Sequence, residues 1–445
     1  MGAHKRVLSG MRPTGLLHIG HYFGALQNWV RLQNDPQFDC FFFVADWHAL
    51  TTDYGDPSAI AANSIEIAID WLASGLDPAR CTMFVQSSVP QHAELNLLLS
   101  MITPLGWLER VPTYKEALEN VKDKDLHTFG FLGYPVLQSA DIVMYGEGDR
   151  GLVVPVGEDQ VSHVEITREI VRRFNLLSGL KLREQLRMPG AGMTLLNKLL
   201  AALRLTDLTV KPTEHHDGLL PDPVWRTIES RVRAQVLEEG VENSFQRITS
   251  AGMLRVDVIE FRRVLSEPEA MLTPTPRIPG TDGRKMSKSY GNSIMFGESD
   301  ESIRTKVRAM ITDPARKRRQ DPGNPDVCPV FDWHKLFPEN QTPEKRSRID
   351  RISLECRTAA IGCVECKGLM VDALIQWIEP IRARRREYAG DPAQVLRILD
   401  DGAEKAAAVA ANTMARVREA EFGWEKLRAG LAPAAAPTKN VKAGD

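Results

Sequence analysis

The spacing of apolar positions along this chain changes several times, and each change marks a unit. Near the start, RVLSG reads as a short strand running into the loop MRPTGLLHIG. From His21 onward Ala25, Leu26, Trp29, Val30 and Leu32 recur at helical spacing. CFFFVADWHAL, Cys40 to Leu50, reads as a second strand, apolar on both faces as a central parallel strand should be. The helical pattern SAIAANSIEIAIDWLASG and a further apolar strand, CTMFVQS, follow. This alternation predicts an α/β chain with a doubly wound parallel sheet, whose ligands bind at the carboxyl ends of the strands.

From about Leu176 to Met271 the pattern turns charged and mostly helical, broken at PGAG, HHDG and LLPDP, with no glycine-rich or catalytic signature. It reads as an insertion. From 298 to 430 long amphipathic stretches such as GLMVDALIQWIEPIRARRREY and AEKAAAVAANTMARVREAE predict a helical C-terminal domain. The last residues, 431–445, have the composition of a disordered tail. Residues 1–175 and 272–297 are left as the catalytic sheet domain.

A chain of 445 residues with 43% hydrophobic content can bury a large core. It has no run of about 18 apolar residues, and MGAHKRVLSG lacks the apolar core of a signal peptide, so a cytoplasmic protein away from membranes is expected. The net charge of -2 does not point to nucleic acid. Its distribution leaves that open: Arg304, Lys306, Arg308, Arg316, Lys317, Arg318 and Arg319 form one basic cluster, and Arg382, Arg384, Arg385 and Arg386 another. Each suits either phosphate binding or a solvated helix face.

Two motifs carry chemistry. Pro13-Thr14-Gly15-Leu16-Leu17-His18-Ile19-Gly20-His21 lies where a strand ends and a helix begins. Glycines there let backbone approach a ligand, the helix start offers unpaired N–H groups, and two histidines donate to an anion. The second is Lys285-Met286-Ser287-Lys288-Ser289, preceded by the turn formers Pro279-Gly280-Thr281-Asp282-Gly283. Two lysines three apart suit a polyphosphate that gains charge during reaction. HIGH near the start and KMSKS well downstream form the signature of class I aminoacyl-tRNA synthetases.

With Tyr134-Pro135-Val136-Leu137-Gln138-Ser139-Ala140-Asp141-Ile142 and Val154-Pro155-Val156-Gly157-Glu158-Asp159-Gln160, the chain resembles tryptophanyl-tRNA synthetases along nearly its whole length, the insertion excepted. The resemblance implies a Rossmann-like catalytic sheet, an anticodon-binding helical domain, a homodimer, and tryptophan, ATP, Mg2+ and tRNA(Trp) as partners. It assigns Tyr134 and Gln160 to the substrate ammonium, Asp159 to the ATP ribose and Asp141 to the indole N–H. His48, Leu8, Gly10, Gln138, Val154 and Val156 would complete the tryptophan pocket. Arg12, Thr14, Gly15, His18, Gly20, His21, Lys285, Met286, Ser287 and Lys288 would hold ATP, with His18, His21, Lys285 and Lys288 acting on the phosphates. Gln138 departs from the methionine of many bacterial relatives and is often glutamine in tyrosyl enzymes, so a tyrosine-specific relative is the nearest alternative. A non-catalytic RNA-binding or redox-sensing relative has no reason to keep both motifs.

Cys356, Cys363 and Cys366 stand as C-x6-C-x2-C with Cys328 upstream. Four soft ligands suit a [4Fe–4S] cluster or tetrahedral zinc. The spacing also resembles the cluster motif of an iron–sulfur subset of tryptophanyl synthetases. Cys40 and Cys81, within apolar strands, read as core thiols.

Overall fold

Successive side chains of the central strands are buried on opposite faces, so one sheet separates two cores. The computed structural model describes residues 4–120, 124–148, 150–211, 218–272, 278–337 and 342–431. The tail from 432 onward lies outside the described residues. The strands are β1 (Lys5–Met11), β2 (Phe38–Val44), β3 (Cys81–Val85), β4 (Leu152–Val156), β5 (Leu180–Leu182), β6 (Ile259–Phe261) and β7 (Pro268–Leu272). Five of them form a sheet ordered β3-β2-β1-β4-β7, every neighbouring pair parallel. One core holds Val7, Cys40, Phe42, Val44, Cys81 and Met83, and the other holds Leu8, Phe41, Phe43, Phe84, Val154 and Val156. The chain works outward from β1 to β3, then returns to place β4 on the other side of β1, and this reversal opens a crevice at the carboxyl ends of β1 and β4.

Two sequence expectations change. The strand expected to run through Leu50 stops at Val44, and Asp46–Asp53 is a helix. Asp46 accepts hydrogen bonds from the N–H groups of Trp47 at 3.0 Å and Ser87 at 3.1 Å, which ties the helix start to the end of β3. Secondly, Pro268–Leu272, which overlaps the end of the stretch read as insertion, is a strand of the main sheet. It is an edge strand beginning on proline and exposing Glu269, a form that blunts an edge and carries little periodic signal.

Between helix Val161–Gly179 and β7, Leu182, Leu186, Leu196, Leu199, Leu200, Trp225, Val232 and Ile248 form a separate core, closed by the antiparallel pair β5–β6. The helices beyond 298 do not close on themselves in this way. Helix Cys363–Gly390 packs Met370, Leu374 and Ile378 into the first core, against the same cluster as Trp71 and Phe296. Helix Pro392–Phe422 gives Val395 and Leu399 to the first core but Ala406, Ala410, Met414 and Val417 to the second. It therefore crosses the edge of the sheet, and it does so at Gly402, where an added Cβ would overlap the carbonyl oxygen of Met83 in β3.

The second basic cluster is structural. Arg382 pairs with Asp300 at 2.6 Å, Arg384 donates to the Ala73 carbonyl at 2.7 Å, Arg385 pairs with Asp70 at 2.7 Å, and Arg386 pairs with Glu379 at 2.9 Å. Arg382, Arg384 and Arg385 fasten the helix to the rest of the fold, whereas Arg386 is exposed and pairs within the helix, as a solvated face would. In the first cluster, Arg308, Lys317 and Arg318 are exposed.

Candidate active site

A cavity of about 520 Å3 opens at the crevice between β1 and β4. Leu8 and Gly10 of β1, Val154 and Val156 of β4, His48, and Tyr134, Gln138 and Asp141 from helix Phe129–Met144 line it with Gln160. All the positions expected to surround tryptophan thus meet in one place. Gly10 has to be glycine: a Cβ there would stand 2.5–2.8 Å from the ring of Phe43.

Asp141 is the buried charge of this cavity. Its Oδ2 lies 2.7 Å from His48 Nε2, while Oδ1 lies 2.6 Å from His92 Nδ1 and accepts from Gln86 Nε2 at 2.8 Å. Burial opposes its ionisation, but the hydrogen bonds from His48 and His92 outweigh that and hold the carboxyl down to about 2. An ionised carboxylate only accepts, so both imidazoles donate to it. His92 then accepts at Nε2 from the hydroxyl of Tyr145, 2.7 Å away, which burial keeps protonated. Oδ1 takes two donors and Oδ2 one, leaving an acceptor direction on Oδ2 beside His48. His48 was expected only to wall the ring, whereas it orients the carboxylate.

A second polar group sits at the other end of the cavity. The Tyr134 hydroxyl is 2.5 Å from Thr113 Oγ1 and 2.9 Å from His163 Nε2, and those two are 3.0 Å apart. Gln86, His92, Thr113, Tyr145 and His163 escaped the sequence reading. Their signal was faint: single polar residues in or beside helices or at a strand end, of which His92 is fully buried.

The two motif segments meet beside this cavity. Ile19 N–H donates to the Ile294 carbonyl at 3.0 Å and Phe296 N–H to the Leu17 carbonyl at 3.3 Å, so the segment after KMSKS forms a ladder on the HIGH turn. Lys288 Nζ donates to the carbonyls of Thr14 at 2.5 Å and Leu16 at 3.2 Å. Met286 is buried against Gly20, where a Cβ would also stand 2.8 Å from His18 Nδ1. Gly15 has φ +93°, a conformation that favours glycine. The His21 Nδ1 accepts from the His18 N–H at 3.1 Å, and the two rings lie 3.8 Å apart. Burial, then the nearby charge of Lys288, lowers His18 to about 4, while burial, His18 and Lys288 lower His21 to about 3. Both are neutral donors at neutral pH.

Asn292 braces the loop, accepting from the Ser287 N–H at 2.7 Å and donating to the Lys285 carbonyl at 3.2 Å. Lys285 itself is exposed to solvent. Arg12 lines the cavity mouth and bonds Thr52 and, at 3.9 Å, Asp53. The side chain of Asp159 lies outside the described residues.

The four clustered cysteines fall in one region: Cys366 is raised to about 12, first by burial and then by Cys328, Cys356 and Cys363. Arg316 Nη1 reaches Cys356 Sγ at 3.9 Å, and Cys366 Sγ is 3.4 Å from His334 Nε2. Among the described residues no three metal-ligating side chains stand arranged to hold an ion, nor is any helix long and apolar enough to cross a membrane.

Comparison with known proteins bears on the same residues. The family described as tRNA synthetases class I (W and Y) matches residues 2–200 and 246–378, passing over part of the insertion. A tryptophan–tRNA ligase of Ralstonia nicotianae is 48% identical over 94% of this chain and 98% of its own length. One from Thermotoga maritima is 41% identical over 93% and 98%. Among solved structures, the tryptophanyl-tRNA synthetase of Campylobacter jejuni complexed with ADP and tryptophan has a TM-score of 0.64 at 26% identity, covering 93% of this chain and 98% of that one.

Proposed function

This chain belongs to the class I tRNA synthetases of the tryptophan and tyrosine family, and we propose that it activates tryptophan with ATP and transfers it to tRNA(Trp). The observation that carries tryptophan is Asp141: an ionised carboxylate at an apolar cavity wall, held by His48, Gln86 and His92, with one acceptor direction left for an indole N–H. A site built to hydrogen-bond a substrate N–H rejects analogues lacking it by several orders of magnitude. Tyr134 and Gln160 would take the ammonium at the opposite end.

In the first step the tryptophan carboxylate attacks the α-phosphorus of ATP, the bond to the β-phosphate oxygen breaks, and pyrophosphate leaves. The protein supplies positioning and charge rather than a nucleophile. His18 and His21, as neutral donors, would contact the triphosphate. Lys288, already docked on the HIGH turn, would transfer its ammonium from backbone carbonyls to the departing pyrophosphate, followed by Lys285. Mg2+ would be held mainly by phosphate oxygens, and Asp159 would meet the ribose. In the second step a hydroxyl of the terminal tRNA ribose, the 2′ in this class, displaces AMP from the adenylate.

The assignment of residues 298–430 to the anticodon is supported by exposed Arg308, Lys317 and Arg318. Exposed Leu97, Met101, Leu105 and Phe129, on helices packed against one another, support a homodimer. We assign the four thiols to a [4Fe–4S] cluster, with zinc as the competing occupant; their shared location and the cations Arg316 and Lys367 beside them suit an anionic thiolate centre. It would add structure to the helical region and take no part in adenylate formation. A cytoplasmic site of action accords with the three substrates, tryptophan, ATP and tRNA(Trp).

Amino-acid-dependent ATP–pyrophosphate exchange tests the function. Exchange with tryptophan and none with tyrosine is the expected result, followed by charging of tRNA(Trp). Exchange supported by tyrosine alone overturns the specificity, and no exchange with either overturns the activity.

A further inference from the structure

The peptide group between Leu16 and Leu17 is gripped from both sides. Its oxygen accepts from Lys288 Nζ at 3.2 Å, and its N–H donates to Asp70 Oδ2 at 2.8 Å. A carbonyl whose own N–H donates to a carboxylate is a better acceptor for a cation, so the two interactions strengthen each other. Asp70 lies on helix Ile60–Ala73 and is fully buried. Its other oxygen, Oδ1, accepts from Arg385 Nε at 2.7 Å, and Arg385 also pairs with Glu66.

Arg385 belongs to helix Cys363–Gly390, far from the cavity in sequence and on the side of the sheet that carries the C-terminal helices. Three residues earlier, on the same face, Arg382 donates to the Glu298 carbonyl at 3.0 Å. The Glu298 carboxylate in turn accepts from the Met295 N–H at 3.0 Å, and Met295 pairs with His18. One turn of this helix thus holds both sides of the ladder: the HIGH turn through Asp70 and the post-KMSKS segment through Glu298.

Resting on the reading of HIGH and KMSKS as the ATP site, we propose that Asp70 is a positioning residue for ATP and that Arg385 couples helix Cys363–Gly390 to it. Asp70 touches neither substrate. It fixes the turn that carries His18 and the carbonyl on which Lys288 rests. Displacement of the helix by tRNA is transmitted to ATP affinity and leaves the tryptophan pocket, built on other elements, as it was.

The test uses the full chain in ATP–pyrophosphate exchange, varying ATP and tryptophan separately. Arg385→Met is expected to raise the KM for ATP about tenfold, the scale of a coupling between sites, with the KM for tryptophan within about twofold. Arg384→Met, which removes the neighbouring bond to the Ala73 carbonyl, is the structural control and should leave both constants unchanged. Asp70→Asn should raise the ATP KM like Arg385→Met, and the double variant should be no worse than Asp70→Asn alone, because both act through one link. An unchanged ATP KM in Arg385→Met, equal effects of Arg384→Met, a matching rise in the tryptophan KM, or additivity in the double variant would each overturn the coupling. If Arg385→Met does not fold, Arg385→Lys, which keeps the charge but loses the fork, must show an intermediate rise. Wild-type exchange reads the activity itself, so failure of the coupling and failure of the proposed function are distinct outcomes.

Discussion

His48 and Asp141 meet across 2.7 Å at the wall of the cavity, and the same carboxylate is held from behind by His92. The pair orients an acceptor instead of a base, since no proton needs removing from an indole. Asp141→Asn turns one of its acceptor oxygens into a donor facing imidazole N–H groups. The expected result is a loss of about 100-fold in kcat/KM for tryptophan, near 2.7 kcal/mol and within the range for a buried hydrogen bond to a charged group. The KM for ATP should barely move. Steady-state exchange with each substrate varied checks this, and equal losses for both substrates would refute the assignment.

The depressed value of Asp141 also has a stability signature. A carboxyl at about 2 in the folded protein and 3.8 when unfolded contributes stability that is present above pH 4 and lost as pH falls through 2. The amount is about 2 kcal/mol. Denaturant unfolding at pH 5 and near pH 2.5 should show a smaller acid loss in Asp141→Asn than in the parent. Parallel pH curves for the two proteins would contradict it.

Lys288 and Lys285 should not be equivalent. Lys288 is docked on the carbonyls of the HIGH turn in the free protein, whereas Lys285 is solvent-facing. Lys288→Ala is expected to lower adenylate formation on the order of 100-fold or more, with tryptophan affinity, measured by equilibrium binding, unaffected. Unchanged exchange in Lys288→Ala removes that lysine from the chemistry.

Anaerobic preparation tests the thiols. The full chain is expected to be brown and to carry iron and acid-labile sulfide, and Cys363→Ser should lose both while retaining exchange with tryptophan. Zinc without iron would replace the cluster, and a colourless protein free of both metals would eliminate the site.

The outline of the sheet and the HIGH turn were legible because each leaves a local trace: apolar runs for buried parallel strands, glycines where backbone must turn or approach; the lining of the cavity came from the resemblance to tryptophanyl-tRNA synthetases. What was hidden depends on long-range pairing. His92 and Tyr145 look like any polar residue in an amphipathic helix until the fold brings them to Asp141. Arg382, Arg384 and Arg385 read as one basic run, because their acceptors lie on segments distant in sequence. β7 was missed for a related reason: an edge strand needs only half a pattern, and PEAML scarcely has that.

Helix Pro392–Phe422 passes over the edge of β3 at Gly402, with no room there for even a methyl group. During synthesis this means that the first strands wait for a helix far downstream. The first three strands and the HIGH turn emerge from the ribosome early, yet the seam between the two cores stays open until residues beyond 400 have left the exit tunnel. A nascent chain stalled before that point would expose apolar edge to its neighbours, so the early strands stay open to aggregation until the helix that covers them has been made.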